Sequence, residues 1–178
     1  MNMNANAAKD IRSSASPVER VDVPTGLTYD ALVTGFEREL GRWEPGVVGI
    51  LLESHAPWSK VEAEVARMAG AHGLMILVRI DQGAITSLSG RGKQCSLYLV
   101  GNPVIANQIL DIDPRASLYV PFRVCLYDLG ESGGAVLSFD RPSSSLGVLG
   151  RPELNEIGLA LDQKLNGVIG VLVGKAAT

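Results

Sequence analysis

The chain has only two cysteines and two histidines, no clustered basic run, and no long apolar stretch near its start. Each absence closes off a class of function. Cys95 and Cys125 form no Cys-x-x-Cys arrangement and are too few for a disulfide framework or a four-cysteine zinc site. They read as small apolar residues on two strands, and a pairing in space stays open, because a bridge requires Cα atoms within about 7 Å. His55 and His72 have no metal spacing with the cysteines, and no local motif places either in a Ser-His-Asp arrangement. No metal and no cofactor is expected. Gly90-Arg91-Gly92-Lys93 shares the composition of a phosphate loop but not its pattern, since Gly-x-x-x-x-Gly-Lys-Ser/Thr is absent. It reads as a flexible basic loop.

With 16 Lys and Arg against 19 Asp and Glu, a net charge of -3 and a pI near 5.4, the chain lacks the electrostatic footprint of a nucleic-acid binder. Met1 to Pro17 is rich in Asn, Ala and Ser and has no apolar signal-like core, so it reads as a flexible N-terminal tail of a cytoplasmic protein. Val168 to Val173 is apolar but too short to cross a bilayer, and no membrane contact is expected.

What is present points to one domain over residues 18–175. At this length roughly 68–70% of the unfolded surface can be buried on folding, and 46% hydrophobic residues supply the core. Tyr98 to Asp128 organises the rest: a strand from Cys95 to Val100, a turn, a short helix, a second turn, and a strand from Tyr119 to Asp128. Asn102-Pro103 is a favoured helix cap followed by a favoured first residue, and Ile105 and Ile109 then share one face. Asp113-Pro114 repeats the logic, and Pro121 suits a strand entry. In the later strand Phe122, Val124 and Leu126 share one face, and Arg123, Cys125 and Tyr127 the other. Gly130 to Gly134 signals a hairpin to a strand over Ala135 to Phe139.

Earlier, Val18 to Val23 reads as a short strand and Thr28 as the cap of a helix running to about Gly41, with Leu32, Phe36 and Leu40 as its stripe. Asp30, Glu37, Arg38 and Glu39 read as that helix's solvated face. Val47 to Leu52 reads as a buried strand. Ser59 and Glu62 have capping-box spacing for a helix ending at Gly73, and Leu74 to Ile80 reads as a strand closed by Asp81-Gln82-Gly83. Ala84 to Lys93 reads as a short helix or loop. Asp140-Arg141-Pro142 and the serines after it read as an exit loop, and Pro152 opens a last helix bearing Leu154, Ile157, Leu161 and Leu165. This order suits a two-layer α+β fold.

Leu99-Val100-Gly101-Asn102-Pro103, Val120-Pro121-Phe122 and Phe139-Asp140-Arg141-Pro142, in that order, resemble the family known as domain of unknown function 302, over roughly Leu74 to Val168. The resemblance implies a curved, mainly antiparallel sheet with helices on one face, similar to the TATA-binding-protein-like arrangement, often as a homodimer. It implies no established reaction. The family's Asp-His is replaced here by Asp81-Gln82, and its phenylalanine before Gly-Asn-Pro by Val100.

Three functional readings follow. In the first, a non-catalytic module binds a small anionic ligand where Asn102 opens a helix, with Arg123 and Arg141 completing the site. In the second, an enzyme uses Asp81, Tyr127 or Cys125 in a pocket at the sheet. In the third, a homodimeric scaffold has no ligand. Asp81, Asp128 and Asp140 fall at strand ends, where carboxylates converge as acid–base groups, bind a hard cation, or simply shape turns, the reading preferred here.

Overall fold

The computed structural model describes residues 13–130 and 134–176. Most of the tail expected over Met1 to Pro17 and the centre of the expected Gly130 to Gly134 turn lie outside them.

The alternating residues of the central segment build a six-stranded open, curved sheet. Its strands are β1 (Arg20–Pro24), β2 (Gly41–Arg42), β3 (Met75–Asp81), β4 (Cys95–Gly101), β5 (Phe122–Asp128) and β6 (Ala135–Asp140). They lie in the order β1-β6-β5-β4-β3-β2, and every neighbouring pair is antiparallel except β2 with β3. Tyr98 faces Val124, Val100 faces Phe122 and Leu126 faces Leu137, so these residues share the covered face, where all are buried. The fold is α+β, as expected.

Seven α-helices accompany the sheet among the described residues: α1 (Tyr29–Glu39), α2 (Pro45–Glu53), α3 (Trp58–Met68), α4 (Gln82–Ser87), α5 (Pro103–Ile112), α6 (Pro142–Gly147) and α7 (Pro152–Ala176). Leu32 and Phe36 of α1, Ile109 of α5 and Leu154, Leu161, Leu165, Val168 and Leu172 of α7 pack into one core with the covered face. Each such side chain contributes about 1.5–3 kcal/mol by leaving water. The segment Pro152–Gly174 is long and apolar enough to cross a membrane by length and composition, with a mean hydropathy of 1.3, but its stripe of buried leucines belongs to this core. Val168 to Val173 thus continues α7.

Two helices stand apart from that layer. Met75 turns away from its core neighbour Ile76 and packs with Val65 and Met68 of α3 and with Trp43, Leu77 and Val104. The excursion holding α2 and α3 is closed at a narrow neck, where the N–H groups of Gly41 and Gly70 both donate to the Leu74 carbonyl, at 3.0 and 2.9 Å. Neither position has room for a side chain: a Cβ on Gly41 would lie 1.8 Å from the Met68 carbonyl oxygen, and one on Gly70 2.4 Å from that of Glu39.

Three elements differ from expectation. Val47 to Leu52 is helical, within α2, because Pro45 sits in its first turn and the run is covered on one side only: Leu51 is buried while Ile50 and Leu52 are exposed. A short apolar run carries no period that separates strand from helix. Ser59 caps nothing, since α3 begins at Trp58 behind Pro57. The expected exit loop folds into α6, whose Ser143 donates N–H and hydroxyl bonds to the Asp162 carboxylate on α7, at 3.1 and 2.5 Å.

Candidate functional site

The junction of β4 and α5 forms around one side chain. Asn102 leaves the strand in an extended conformation, and its Oδ1 accepts from the N–H groups of Val104 at 2.9 Å and Ile105 at 3.3 Å. Its Nδ2 donates to the Gly73 carbonyl at 2.9 Å, tying the loop before β3 to the start of α5. The carboxamide therefore meets part of the helix's unsatisfied N–H set itself.

Beside it lies a cavity of about 240 Å³ with an almost wholly apolar lining that includes Trp43, Leu77, Pro103, Ile105, Pro121 and Phe122, and Asn102 lies at its wall. Sharing Pro121 with it, a second cavity of about 280 Å³ is lined by Leu99, Ser117, Tyr119, Arg123, Asp140 and Ser145 among others. Val120, Pro121 and Phe122 line both, with Val120–Pro121 as a cis peptide. The β5 entry is thus a partition with an apolar chamber on one side and a polar one on the other.

The predicted site residues divide over these surroundings. Asn102 borders the apolar chamber and Arg123 the polar one, where Arg123 Nη2 pairs with Asp140 Oδ2 at 3.0 Å. Arg141 is directed elsewhere, pairing with Glu19 at 2.9 Å and approaching Asp162 at 3.9 Å. Asp81 accepts from the Ala84 N–H at 2.9 Å as the cap of α4. Tyr127 lies on the other sheet face, its hydroxyl 3.5 Å from Ser138 Oγ, which donates to Asp22 at 2.5 Å. Asp128 ends β5, its N–H bonded to the Gln94 carbonyl at 3.1 Å. Among the described residues, no group of three or more His, Cys, Asp or Glu side chains could hold a metal ion.

Two further arrangements emerge, one that escaped the sequence reading and one that it left open. The first is a half-buried polar cluster around Glu37, which is not on a fully solvated face: its side chain is 17% exposed and accepts from the buried Tyr98 at 3.0 Å and from the more exposed Arg79 at 2.9 Å and Arg42 at 2.6 Å. Burial, then the bond to Glu37, holds the Tyr98 phenol well above its usual range. Phe36 meets the Tyr98 ring edge-on at 5.2 Å and Arg79 lies 5.8 Å from its centroid. Nearby, Tyr29 donates to Ser96 at 2.7 Å, and burial raises its phenol too. No spacing in the sequence links Glu37 to Arg79 and Tyr98.

The second is the cysteine pair. Cys95 lies opposite Tyr127 and Cys125 opposite Leu97, so the two are diagonal neighbours on the open face, with Sγ atoms 3.6 Å apart. Burial, followed by the contact with Cys95, pushes the Cys125 thiol up to about 12.

Residues 50–172 match the family model of domain of unknown function DUF302. A solved structure of an uncharacterised conserved DUF302 protein from Bacillus stearothermophilus has the same fold, with a TM-score of 0.58 at 14% identity, covering 84% of this chain and 94% of that one. No curated protein matches the chain.

Proposed function

We propose, from the premise that this chain belongs to the DUF302 family, that it is a cytoplasmic, non-catalytic module binding a small amphipathic anion. The apolar body of the ligand occupies the chamber beside Asn102 and Pro103, and its anionic end reaches Arg123 past the Val120 to Phe122 partition. The observation that carries this reading is the pair of cavities sharing that partition, one apolar and one with a guanidinium. Few convergent polar groups on a largely apolar pocket are the usual composition of small-molecule sites, and the two cavities, of 240 and 280 Å³, reach the roughly 300 Å³ and more of such sites when one ligand spans both. Because Arg123 is already paired with Asp140 on an exposed surface, an incoming carboxylate replaces a bond worth only about 0–1 kcal/mol.

A thermal-shift screen of short-chain and aromatic carboxylates tests this. A ligand at 100 times its Kd adds about 2.7 kcal/mol, roughly 5–11 °C at this chain length. Ala106→Phe, which fills the apolar chamber, should abolish the shift, and Arg123→Gln should weaken it for carboxylates but not for the matching neutral amides. A panel without shifts, or shifts untouched by Ala106→Phe, would sink the reading.

A second reading, the homodimeric scaffold, is favoured by Ile50, Leu52 and Trp58, which are 63%, 72% and 45% exposed on α2 and α3. Light scattering on size-exclusion fractions would support it by finding a dimer that Leu52→Asp converts to monomer.

A further inference from the structure

We propose that Cys95 and Cys125 form a thiol–disulfide exchange site on the open face of the sheet, oxidised to an intramolecular disulfide by small-molecule disulfides. The site uses neither cavity beside Pro121. Three observations carry it. The two sulfurs are 3.6 Å apart, in van der Waals contact, and side-chain rotation together with a shift of the strand backbone brings them to the bonding distance of about 2.05 Å. Both cysteines are free and partly exposed. Cys125 also lines a shallow depression of the open face with Leu97, Gln82, Arg123 and Ser138, so a small reagent has a path to the pair.

The order of events follows from the surroundings. Cys95 begins β4, its thiol directed to the exposed Gln82 carboxamide at 3.8 Å, whereas Cys125 is flanked by strands on both sides. The Cys95 thiolate attacks one sulfur of the reagent R–S–S–R and releases R–S⁻, which takes up a proton. Cys125 then gives its proton to solvent and attacks Cys95 Sγ, and the second R–S⁻ leaves and is protonated. The protein loses two hydrogens overall and the reagent becomes two thiols. A neighbour held in contact resolves the mixed disulfide far faster than a second molecule from solution. Cα atoms on a ladder diagonal lie about 7–8 Å apart, at or beyond the roughly 7 Å that an undistorted bridge spans, so closing this one draws the ends of β4 and β5 together by a backbone shift. The bridge is strained, and strained bridges are the readily reduced ones.

The test uses the full chain, native, with excess glutathione disulfide, followed by iodoacetamide and intact-mass analysis. The expected product has lost two hydrogens, takes up no iodoacetamide, retains no glutathione, yields a Cys95–Cys125 linked peptide, and returns to the dithiol with dithiothreitol. Cys125→Ser should instead keep one glutathione on Cys95, and Cys95→Ser should react at least about tenfold more slowly than the parent, because the remaining thiol ionises poorly. A wild-type chain that keeps glutathione on Cys95, or leaves both thiols open to alkylation, would overturn the proposal. Phenylarsine oxide gives a variant-free check: one equivalent should protect both thiols of the native chain, and failure to protect them would remove the juxtaposition itself.

Discussion

β4 and β5 present two surfaces built from the same backbone, and the two are chosen by opposite criteria. On the covered face Tyr98, Val100, Phe122, Val124 and Leu126 are closed off from water by α1, α5 and α7. On the open face Leu97, Leu99, Arg123, Cys125 and Tyr127 stay partly or largely accessible, with Val78 and Ile80 of β3 beside them. The covered face tolerates polar groups only when they are bonded: Ser96 and Tyr98 are fully buried on it, and Tyr29 and Glu37 satisfy them. The open face collects groups whose chemistry needs access, a guanidinium, a phenol and two thiols. Burial therefore lies on one side of the strands and the accessible polar side chains on the other.

The sharpest way to break that contrast is a matched pair of truncations on adjacent strands. Leu126→Ala should cost about 2–5 kcal/mol in urea unfolding, whereas Leu97→Ala should stay near 1 kcal/mol or below, because only the former leaves a cavity in a closed core. Equal losses would mean the open face is covered in solution. Next in size is Tyr98→Phe, which leaves Glu37 with its two arginines but without the buried hydroxyl, at a cost of about 1–3 kcal/mol. Asn102→Ala should cost about 1 kcal/mol for the lost cap, with the Gly73 loop exchanging its amide hydrogens faster.

The smallest effect is a pH dependence remote from both faces. The Arg115 guanidinium, 2.6 Å from Asp113, holds that carboxyl at about 2 against an ordinary 3.8. A depressed folded-state value means the contribution is fully present above pH 3.8 and is lost as pH falls towards 2. Arg115→Ala should therefore lower stability at and above pH 3.8, with the difference from the parent shrinking as pH falls towards 2, so that the acid limb of the stability curve is flatter. An unchanged acid limb would show that the pair does not form in solution.

Much of the sheet was legible because its residues alternate. The face shared by Phe122, Val124 and Leu126 was read correctly, as were the cap at Asn102, the first helix after Thr28, and α7 from Pro152. What escaped is what no local pattern encodes. Val47 to Leu52 is apolar throughout, so its one-sided burial is invisible without its neighbours. Glu37 sits among charged residues on α1, and only the β3–β4 register brings Arg79 and Tyr98 to it. The same holds for the candidate site: Asn102 and Arg123 were named as a pair, but the partition between their chambers depends on how the Val120 to Phe122 segment crosses the end of the sheet.

The neck at Leu74 bears on how much change the segment beyond it tolerates. One carbonyl fastens both ends of the excursion from Gly41 to Gly70, and the backbone contact there is too close for any side chain. The entropic cost of closing such an excursion rises only as the logarithm of its length, so the helices beyond the neck are loosely constrained in number and size. Changing the length of the segment beyond the neck should cost little in closure entropy, and the larger loss would come from the packing of Val65 and Met68 against Met75. The two glycines mark the socket, and the helices are what is plugged into it.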